Sequence, residues 1–159
     1  MNRVMVHVAE IPLPEWIKAL KEFVLKTLFV LKKDKWDVSI LICGDETIKA
    51  LNKTYRGKEE ATDILSFPLG ESADFPSKGK YHSNRYMPGD IVISIDTLRE
   101  NARRFQVDED EELRRLLIHG ILHLDGMKHK TNDETEPMLQ LQEHILAKLS
   151  KKQILGRSA

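Results

Sequence analysis

The chain has 159 residues, of which 41% are hydrophobic and 31% charged, a composition that is ordinary for a globular protein. A chain of this length fits one domain, which we expect to span residues 1–159. Lys plus Arg equals Asp plus Glu at 25 each, so the molecule as a whole attracts anions only weakly. A local basic patch would therefore have to recognise any anionic partner.

The cysteine and hydropathy patterns bear on the compartment. Cys43 is the only cysteine, so no internal disulfide can form, which fits a reducing compartment. No stretch reaches the ~18 apolar residues of a membrane span, and the first residues lack the pattern of a signal peptide. We therefore expect a cytoplasmic protein with no membrane partner.

The first half of the chain alternates between strand and helix patterns. Valines recur at period two over residues 4–8, which predicts a half-buried first strand. Apolar residues at helical spacing over 15–32 predict a long amphipathic helix. The β-branched run 37–43 predicts a second strand, and Asp45 is expected to cap the helix that follows it. One side of this second helix carries Ile48, Leu51 and Tyr55.

Two more strands are predicted in the middle of the chain, on either side of a long polar stretch. Residues 62–67 form the third predicted strand, which Pro68 ends. The stretch 70–88 contains Gly, Pro, Ser and Asn and predicts a surface loop. Residues 89–95 form the fourth predicted strand, after which a short helix begins at Asp96 or Thr97 and runs to about residue 105.

The last part of the chain is predicted to be helical. The acidic run 108–112 favours a helix start, since the helix dipole stabilises negative charge there. Gly126 is expected to end this helix in the left-handed conformation, and Pro137 fits the first turn of a final helix. The order of elements predicts an α+β domain with a small mixed four-stranded sheet packed with about five helices.

Three histidines near the end of the acidic helix predict a metal site. His119 and His123 lie four residues apart, so their side chains stack on one helix face, ~5–6 Å apart at Cβ, and can bind one ion. His129 lies too far along a continuing helix to reach that ion. Gly126 permits a positive φ, which ends the helix and lets the chain bring His129 back.

A site with three histidine ligands is typical of metal-dependent hydrolases. It leaves a coordination position for water, whose pKa such an ion lowers to ~7. The spacing equals that of an extended zinc-peptidase motif, except that Gly120 stands where those enzymes have their glutamate base. Hydrolysis of an amide or ester would therefore lack its proton acceptor.

Four motifs follow one another along most of the chain: Asn-Lys-Thr-Tyr-Arg at 52–56, Thr-Asp-Ile-Leu-Ser-Phe-Pro at 62–68, Gly-Asp-Ile-Val-Ile-Ser at 89–94, and the histidine block at 119–129. In these motifs and their order the chain resembles the YbeY-like endoribonucleases. The resemblance implies a zincin-like fold, Zn²⁺ or another divalent ion such as Ni²⁺ on the three histidines, and cleavage of single-stranded RNA. It also implies maturation of the 16S rRNA 3′ end and ribosome quality control, with the small ribosomal subunit and assembly factors as partners.

The resemblance matches Arg56 to a catalytic arginine, whose guanidinium would bind a phosphate. Without the resemblance, Arg56 is a basic residue near a helix C-terminus, where the dipole favours it. One position departs from the family, because Lys128 stands where an aspartate usually precedes the third histidine. Lysine accepts no hydrogen bond, so the resemblance assigns no general base here. Asp125 is a candidate substitute.

Two alternatives stay open at this point. One is a metal-dependent hydrolase of amides or esters, and the other is a non-enzymatic ribosome-assembly factor whose metal only stabilises its fold. For the nuclease, the sequence does not choose between water and a 2′-hydroxyl as nucleophile. The neutral net charge predicts weak intrinsic affinity for RNA.

Overall fold

A computed structural model describes residues 1–69 and 80–156. In these residues the elements follow in the order β1 (Arg3–Val8), α1 (Ile17–Val30), β2 (Trp36–Cys43), α2 (Asp45–Arg56), β3 (Ile64–Pro68), β4 (Lys80–His82), β5 (Arg85–Ser94), α3 (Ile95–Phe105), α4 (Glu109–Leu124) and α5 (Pro137–Lys148). The predicted α+β class and the five predicted helices are confirmed. No helix in the described part of the chain combines the length and apolar content needed to span a bilayer.

The sheet is mixed, as predicted. Four strands lie in the order β1-β2-β5-β3, and the short β4 pairs with β5 alone. β1 and β2 run parallel to β5, whereas β3 and β4 run antiparallel to it. β3 is therefore an edge strand, and the sheet has the four predicted strands plus one short addition.

The prediction of a loop over residues 70–88 is wrong for its second half. Residues 80–82 form β4, and β5 begins at Arg85, four residues before the predicted start. Tertiary contacts extend β5 in this way: the Tyr86 ring packs on Trp36 at 5.1 Å between centroids, and Arg85 Nε donates to Asp37 Oδ1 at 2.8 Å. Residues 70–79 of the predicted loop lie outside the described residues.

The start of α2 also differs from the prediction. Gly44 is the N-cap, and Asp45 is the first helical residue. The Asp45 carboxylate instead accepts hydrogen bonds from the hydroxyls of Ser94, at 2.7 Å, and Thr97. Of the residues predicted to share one side of α2, Ile48 is buried and Tyr55 is 65% exposed. Asp45 therefore ties α2 to the start of α3 rather than capping its own helix.

The two faces of the sheet are covered by different helices. Ile91 and Ile93 of β5 belong to the main core with the apolar sides of α1, α4 and α5. Val92, which points to the opposite face, packs with Ile48 of α2 in a second, smaller core. The edge strand β3 contacts both α2 and α4. The end of α2 and the end of α4 thus lie on either side of the same edge strand.

Helix α4 is the most buried helix and carries two of the three histidines. Asp108 caps it by accepting from Glu111 N at 3.1 Å, and the acidic first turn is as predicted. Gly120 faces the sheet so closely that a Cβ there would lie 2.9 Å from Ile91 Cδ1 and 3.1 Å from Ile64 Cδ1. A glycine at this position lets the helix approach the sheet.

A buried ion pair holds the start of α4 to the end of the chain. Asp110 and Arg114 are 5% and 7% exposed, and Arg114 Nε donates to Asp110 Oδ2 at 2.7 Å. Asp110 Oδ1 accepts from the backbone N–H groups of Ile154, at 2.6 Å, and Leu155, at 2.8 Å. One carboxylate therefore satisfies three donors.

We predict that Asp110→Ala lowers the free energy of unfolding by about 3–5 kcal/mol, because it leaves the Arg114 charge buried without a partner. Urea denaturation followed by circular dichroism measures this loss. Glu109→Ala is the matched control, since its half-exposed pairing with Arg99 should contribute about 1 kcal/mol or less. Equal, small losses for the two variants would contradict the role given to Asp110.

Candidate metal centre

The structure brings His119, His123 and His129 together. Each offers one ring nitrogen, and these three atoms lie within 4.8 Å of one another. The Nε2 atoms of His119 and His123, on successive turns of α4, are 3.0 Å apart. Among the described residues, no other group of histidine, cysteine or carboxylate side chains has the spacing to hold a metal ion.

The turn after α4 brings His129 to the other two rings. Gly126 has φ +90°, and its N–H donates to His123 O at 3.0 Å while Met127 N donates to Leu122 O at 3.0 Å. These two bonds form a Schellman motif, which needs a left-handed residue at this position. The predicted end of the helix at Gly126 and the predicted return of His129 are both confirmed.

Each of the three rings is held through its Nδ1 atom. His119 Nδ1 lies 2.7 Å from Gln142 Oε1, His123 Nδ1 lies 3.0 Å from Met127 O, and His129 Nδ1 lies 2.9 Å from Thr131 O. Carbonyl oxygens only accept hydrogen bonds, so each Nδ1 carries the proton and donates. Each Nε2 therefore has a free lone pair, as histidine ligands of metals usually do.

This donor set fits a divalent transition metal. Two Nε2 lone pairs that face each other at 3.0 Å have no proton between them, so they repel unless a cation lies nearby. Two nitrogens bound tetrahedrally to one ion at ~2.0–2.1 Å would be ~3.3 Å apart, close to the observed separation. Neutral imidazoles suit zinc, copper, iron or nickel, whereas magnesium and calcium prefer oxygen ligands.

The histidines form one side of a cleft of about 590 Å³, and Arg56, Lys58, Ser66 and Lys128 are among its described lining residues. Arg56 is the last residue of α2, and its Nη2 donates to Ser66 O, on the edge strand, at 2.8 Å. Its guanidinium also lies 5.4 Å from the centre of the Phe67 ring. Arg56 and the three histidines, which were predicted to form the site, therefore line one cleft. Lys58 and Lys128 add two more basic side chains to its lining.

Comparisons with known proteins show which family the chain belongs to. The sequence profile described as Endoribonuclease YbeY matches residues 4–150. The chain belongs to the YbeY family. YbeY relatives named Endoribonuclease YbeY include one from Treponema denticola, 46% identical over 80% of this chain and 79% of its own length. Another, from Treponema pallidum, is 43% identical over 92% of this chain and 89% of its own length.

A solved structure supports the fold of this YbeY family member. A Thermotoga maritima protein, determined in solution, matches with a TM-score of 0.64 at 28% sequence identity. The match covers 95% of this chain and 90% of the other. The architecture described above is therefore that of an experimentally determined fold.

Three positions of this YbeY family member bear on proton transfer. A Cβ at Gly120 would meet the ends of the Ile64 and Ile91 side chains, and glycine itself offers no group that could accept a proton. Lys128 lines the cleft. Asp125, the candidate substitute base, forms an ion pair with Lys33 at 2.8 Å and is absent from the described lining of the cleft.

The sequence analysis did not identify the three acceptors that orient the rings. Two are backbone carbonyls, of Met127 and Thr131, and a backbone group cannot be recognised from its residue type. The third acceptor, Gln142, can be recognised from the sequence pattern. It lies between Met138 and Ile145 at helical spacing, so it is a polar residue on the apolar face of α5, and it is 6% exposed.

Burial keeps the rings of His119 and His123 neutral. Desolvation lowers the pKa of His119, against the opposing effect of the hydrogen bond with Gln142. Desolvation and the neighbouring His119 lower the pKa of His123 to about 4. Since metals bind neutral imidazole, both rings are in the ligating form at neutral pH without a change of protonation.

We predict that the metal-free protein loses stability in mild acid because of His123. Its pKa falls from the ordinary 6.5 when unfolded to about 4 when folded. The unfolded chain therefore binds a proton on His123 at a higher pH than the folded chain does. The contribution of neutral His123 to stability is complete above pH 6.5 and is lost as the pH falls to about 4. Urea denaturation of chelator-treated protein across this window measures the loss. His123→Gln should show a shallower pH dependence, and parallel curves for the two proteins would contradict the prediction.

Proposed function

We propose that this chain is a metal-dependent endoribonuclease that cleaves single-stranded RNA, with its ion on His119, His123 and His129. The observation that carries the proposal is the convergence of three oriented Nε2 lone pairs inside a cleft that also contains Arg56. Membership of the Endoribonuclease YbeY family supports RNA as the substrate. Zn²⁺ is the ion we propose, with Ni²⁺ as the next candidate, because the family resemblance implies zinc and because neutral imidazoles suit both ions.

In this proposal, the protein's own residues bind and neutralise the phosphate. Arg56 is fixed from two sides, by Ser66 O and the Phe67 ring. Its other N–H groups bond to none of the described residues, so they are available to a phosphate in bidentate geometry. When bound, the ion would supply Lewis acidity and would lower the pKa of a nearby water towards neutrality. Arg56 then stabilises the charge that develops on the phosphoryl oxygens.

The surface around the cleft suits an unpaired strand. Lys58 and Lys128 extend the positive charge beyond Arg56, which favours contact with successive phosphates. Tyr55 is 65% exposed and lies edge-on to Phe67 at 5.4 Å between ring centroids, so it offers a face on which an unstacked base can lie. RNA that is single-stranded exposes both its phosphates and its base faces to such a surface.

We further propose that the substrate is ribosomal. The family resemblance suggests maturation of the 16S rRNA 3′ end and ribosome quality control in the cytoplasm, with the small ribosomal subunit and assembly factors as partners. The zero net charge supports this, because a chain without a basic surplus binds arbitrary RNA weakly. The ribosome would then supply the affinity that the chain itself lacks.

The alternatives are less well supported. Hydrolysis of amides or esters lacks a base at Gly120, where a side chain would first have to displace the ends of Ile64 and Ile91. An assembly factor with a purely structural metal does not need its metal ligands to lie in a cleft beside an arginine. Cleavage assays with matched variants separate the nuclease from both.

We predict that the purified protein cleaves an end-labelled single-stranded RNA and that a chelator stops the reaction. His123→Ala should abolish cleavage, since it removes a ligand, and Arg56→Ala should slow it by about 10²–10³-fold, the usual cost of losing one charge-stabilising donor. Arg56→Lys should recover only part of the rate, because lysine cannot bind bidentately. Gel analysis of the product ends identifies the nucleophile, since attack by the 2′-hydroxyl leaves a 2′,3′-cyclic phosphate.

His7→Ala is the matched control, because His7 is exposed on β1, at the opposite edge of the sheet from β3. It should cleave at the wild-type rate. Equal cleavage by all identically purified variants would indicate a contaminating ribonuclease. If neither naked RNA nor immature ribosomal subunits are cut by the metal-loaded wild type, the nuclease proposal is wrong.

A further inference from the structure

A buried glutamine connects the metal centre to a surface ion pair. Gln142 of α5 is 6% exposed. Its Oε1 lies 2.7 Å from His119 Nδ1, and its Nε2 donates to Glu143 Oε2 at 3.1 Å. The two ends of one amide therefore bond to a proposed metal ligand and to a carboxylate.

The carboxylate is itself held by an arginine of α4. Arg115 donates to Glu143 from Nε, at 3.1 Å to Oε2, and from Nη2, at 3.1 Å to Oε1. Its Nη1 donates to Glu112 Oε2 at 3.3 Å. Arg115 precedes His119 by four residues, so it lies one turn earlier on the same face of α4. The chain of hydrogen bonds thus leaves α4 at Arg115, crosses to α5, and returns to α4 at His119.

The direction of every bond in this chain is determined. Arginine has only donors, so Glu143 accepts from it. Burial opposes ionisation of Glu143, but the hydrogen bonds from Arg115 and Gln142 outweigh it and hold its pKa below the ordinary value. An ionised carboxylate only accepts, so the NH₂ group of Gln142 must point to Glu143. The Gln142 oxygen then faces His119, whose Nδ1 must carry the proton.

We propose that Gln142, oriented by the Glu143–Arg115 ion pair, is a positioning residue that fixes the tautomer of His119 and so keeps its Nε2 free for the metal. This inference rests on the proposed metal site and goes beyond it, because it assigns a role to residues outside the ligand set. It does not depend on which substrate the protein cleaves.

Of the three histidines, His119 is the one whose tautomer depends on the orientation of another side chain. His123 and His129 bond to backbone carbonyls, which are acceptors in every conformation and which no substitution removes. The partner of His119 is a side-chain amide, which presents a donor if it rotates by half a turn. With the amide reversed, Nδ1 would accept, the proton would move to Nε2, and the ligand would be lost. Glu143 prevents that rotation.

Two variants separate this role from simple packing. Gln142→Met keeps the length of the side chain and removes both hydrogen bonds. The double variant Gln142→Glu with Glu143→Gln, the exchanged pair, keeps the net charge and keeps an acceptor facing His119, while the bond between positions 142 and 143 reverses its direction. Its new carboxylate at position 142 can accept from His119, and its new amide at position 143 can accept from Arg115 and donate to that carboxylate. The exchanged pair therefore serves as the conservative rescue.

The experiment measures two properties of full-length protein that do not require RNA cleavage. Competition with a chromophoric chelator gives the Zn²⁺ affinity, which should fall about 10–100-fold in Gln142→Met and stay near wild type in the exchanged pair. Long-range ¹H–¹⁵N NMR of the metal-free proteins reads the ring tautomers. His119 should be protonated at Nδ1 in the wild type and the exchanged pair, and should populate both tautomers in Gln142→Met.

The inference is wrong if His119 of the metal-free wild type is protonated at Nε2, or if Gln142→Met binds Zn²⁺ as tightly as wild type. It is also wrong if the exchanged pair loses as much affinity as Gln142→Met while folding normally, because an acceptor facing His119 would then be irrelevant. A wild type that binds Zn²⁺ with the predicted tautomer but cleaves no RNA would reject the proposed nuclease and leave the role of Gln142 standing.

Discussion

Three imidazole rings that turn their lone pairs toward one point repel one another, and the fold of this protein must hold them there. It does so by giving each Nδ1–H an acceptor at 2.7–3.0 Å, which fixes both the orientation and the tautomer of the ring. Burial adds to the effect by lowering the pKa of His119 and His123, so that protonation does not compete for the lone pairs. The cluster is thus organised for a cation before one binds, which reduces the reorganisation that binding requires.

The architecture brings the Arg56 guanidinium to that cluster from the other side of the sheet. Helix α4 approaches the sheet closely because Gly120 has no side chain, and this places the histidines at the edge strand β3. Helix α2 packs on the opposite face and ends at Arg56, which reaches β3 through Ser66 O. The cleft is therefore shaped by an edge strand with one helix end on each side; α4 contributes two of the histidines and α2 contributes Arg56.

The parts of the site that follow from local geometry could be predicted from the sequence. The spacing of His119 and His123 fixes their common face, and Gly126 fixes the turn that returns His129, because both depend only on the helical period and on one positive φ. The tertiary parts could not be predicted in this way. The placement of Arg56 was expected from the family resemblance alone, the early start of β5 depends on the packing of Tyr86 on Trp36, and Asp45 bonds to Ser94 of a distant strand. Gln142 was detectable only as a polar residue on an apolar helix face.

Anomalous diffraction would show whether a metal ion binds the three Nε2 atoms. Crystals grown with Zn²⁺ would be measured on both sides of the zinc absorption edge. We expect one strong anomalous peak at ~2.0–2.1 Å from Nε2 of His119, His123 and His129, the usual length of a zinc–nitrogen bond. A crystal grown in excess Zn²⁺ that shows no peak at the three histidines would contradict metal binding there. An ion bound through an Nδ1 atom would contradict the proposed tautomers.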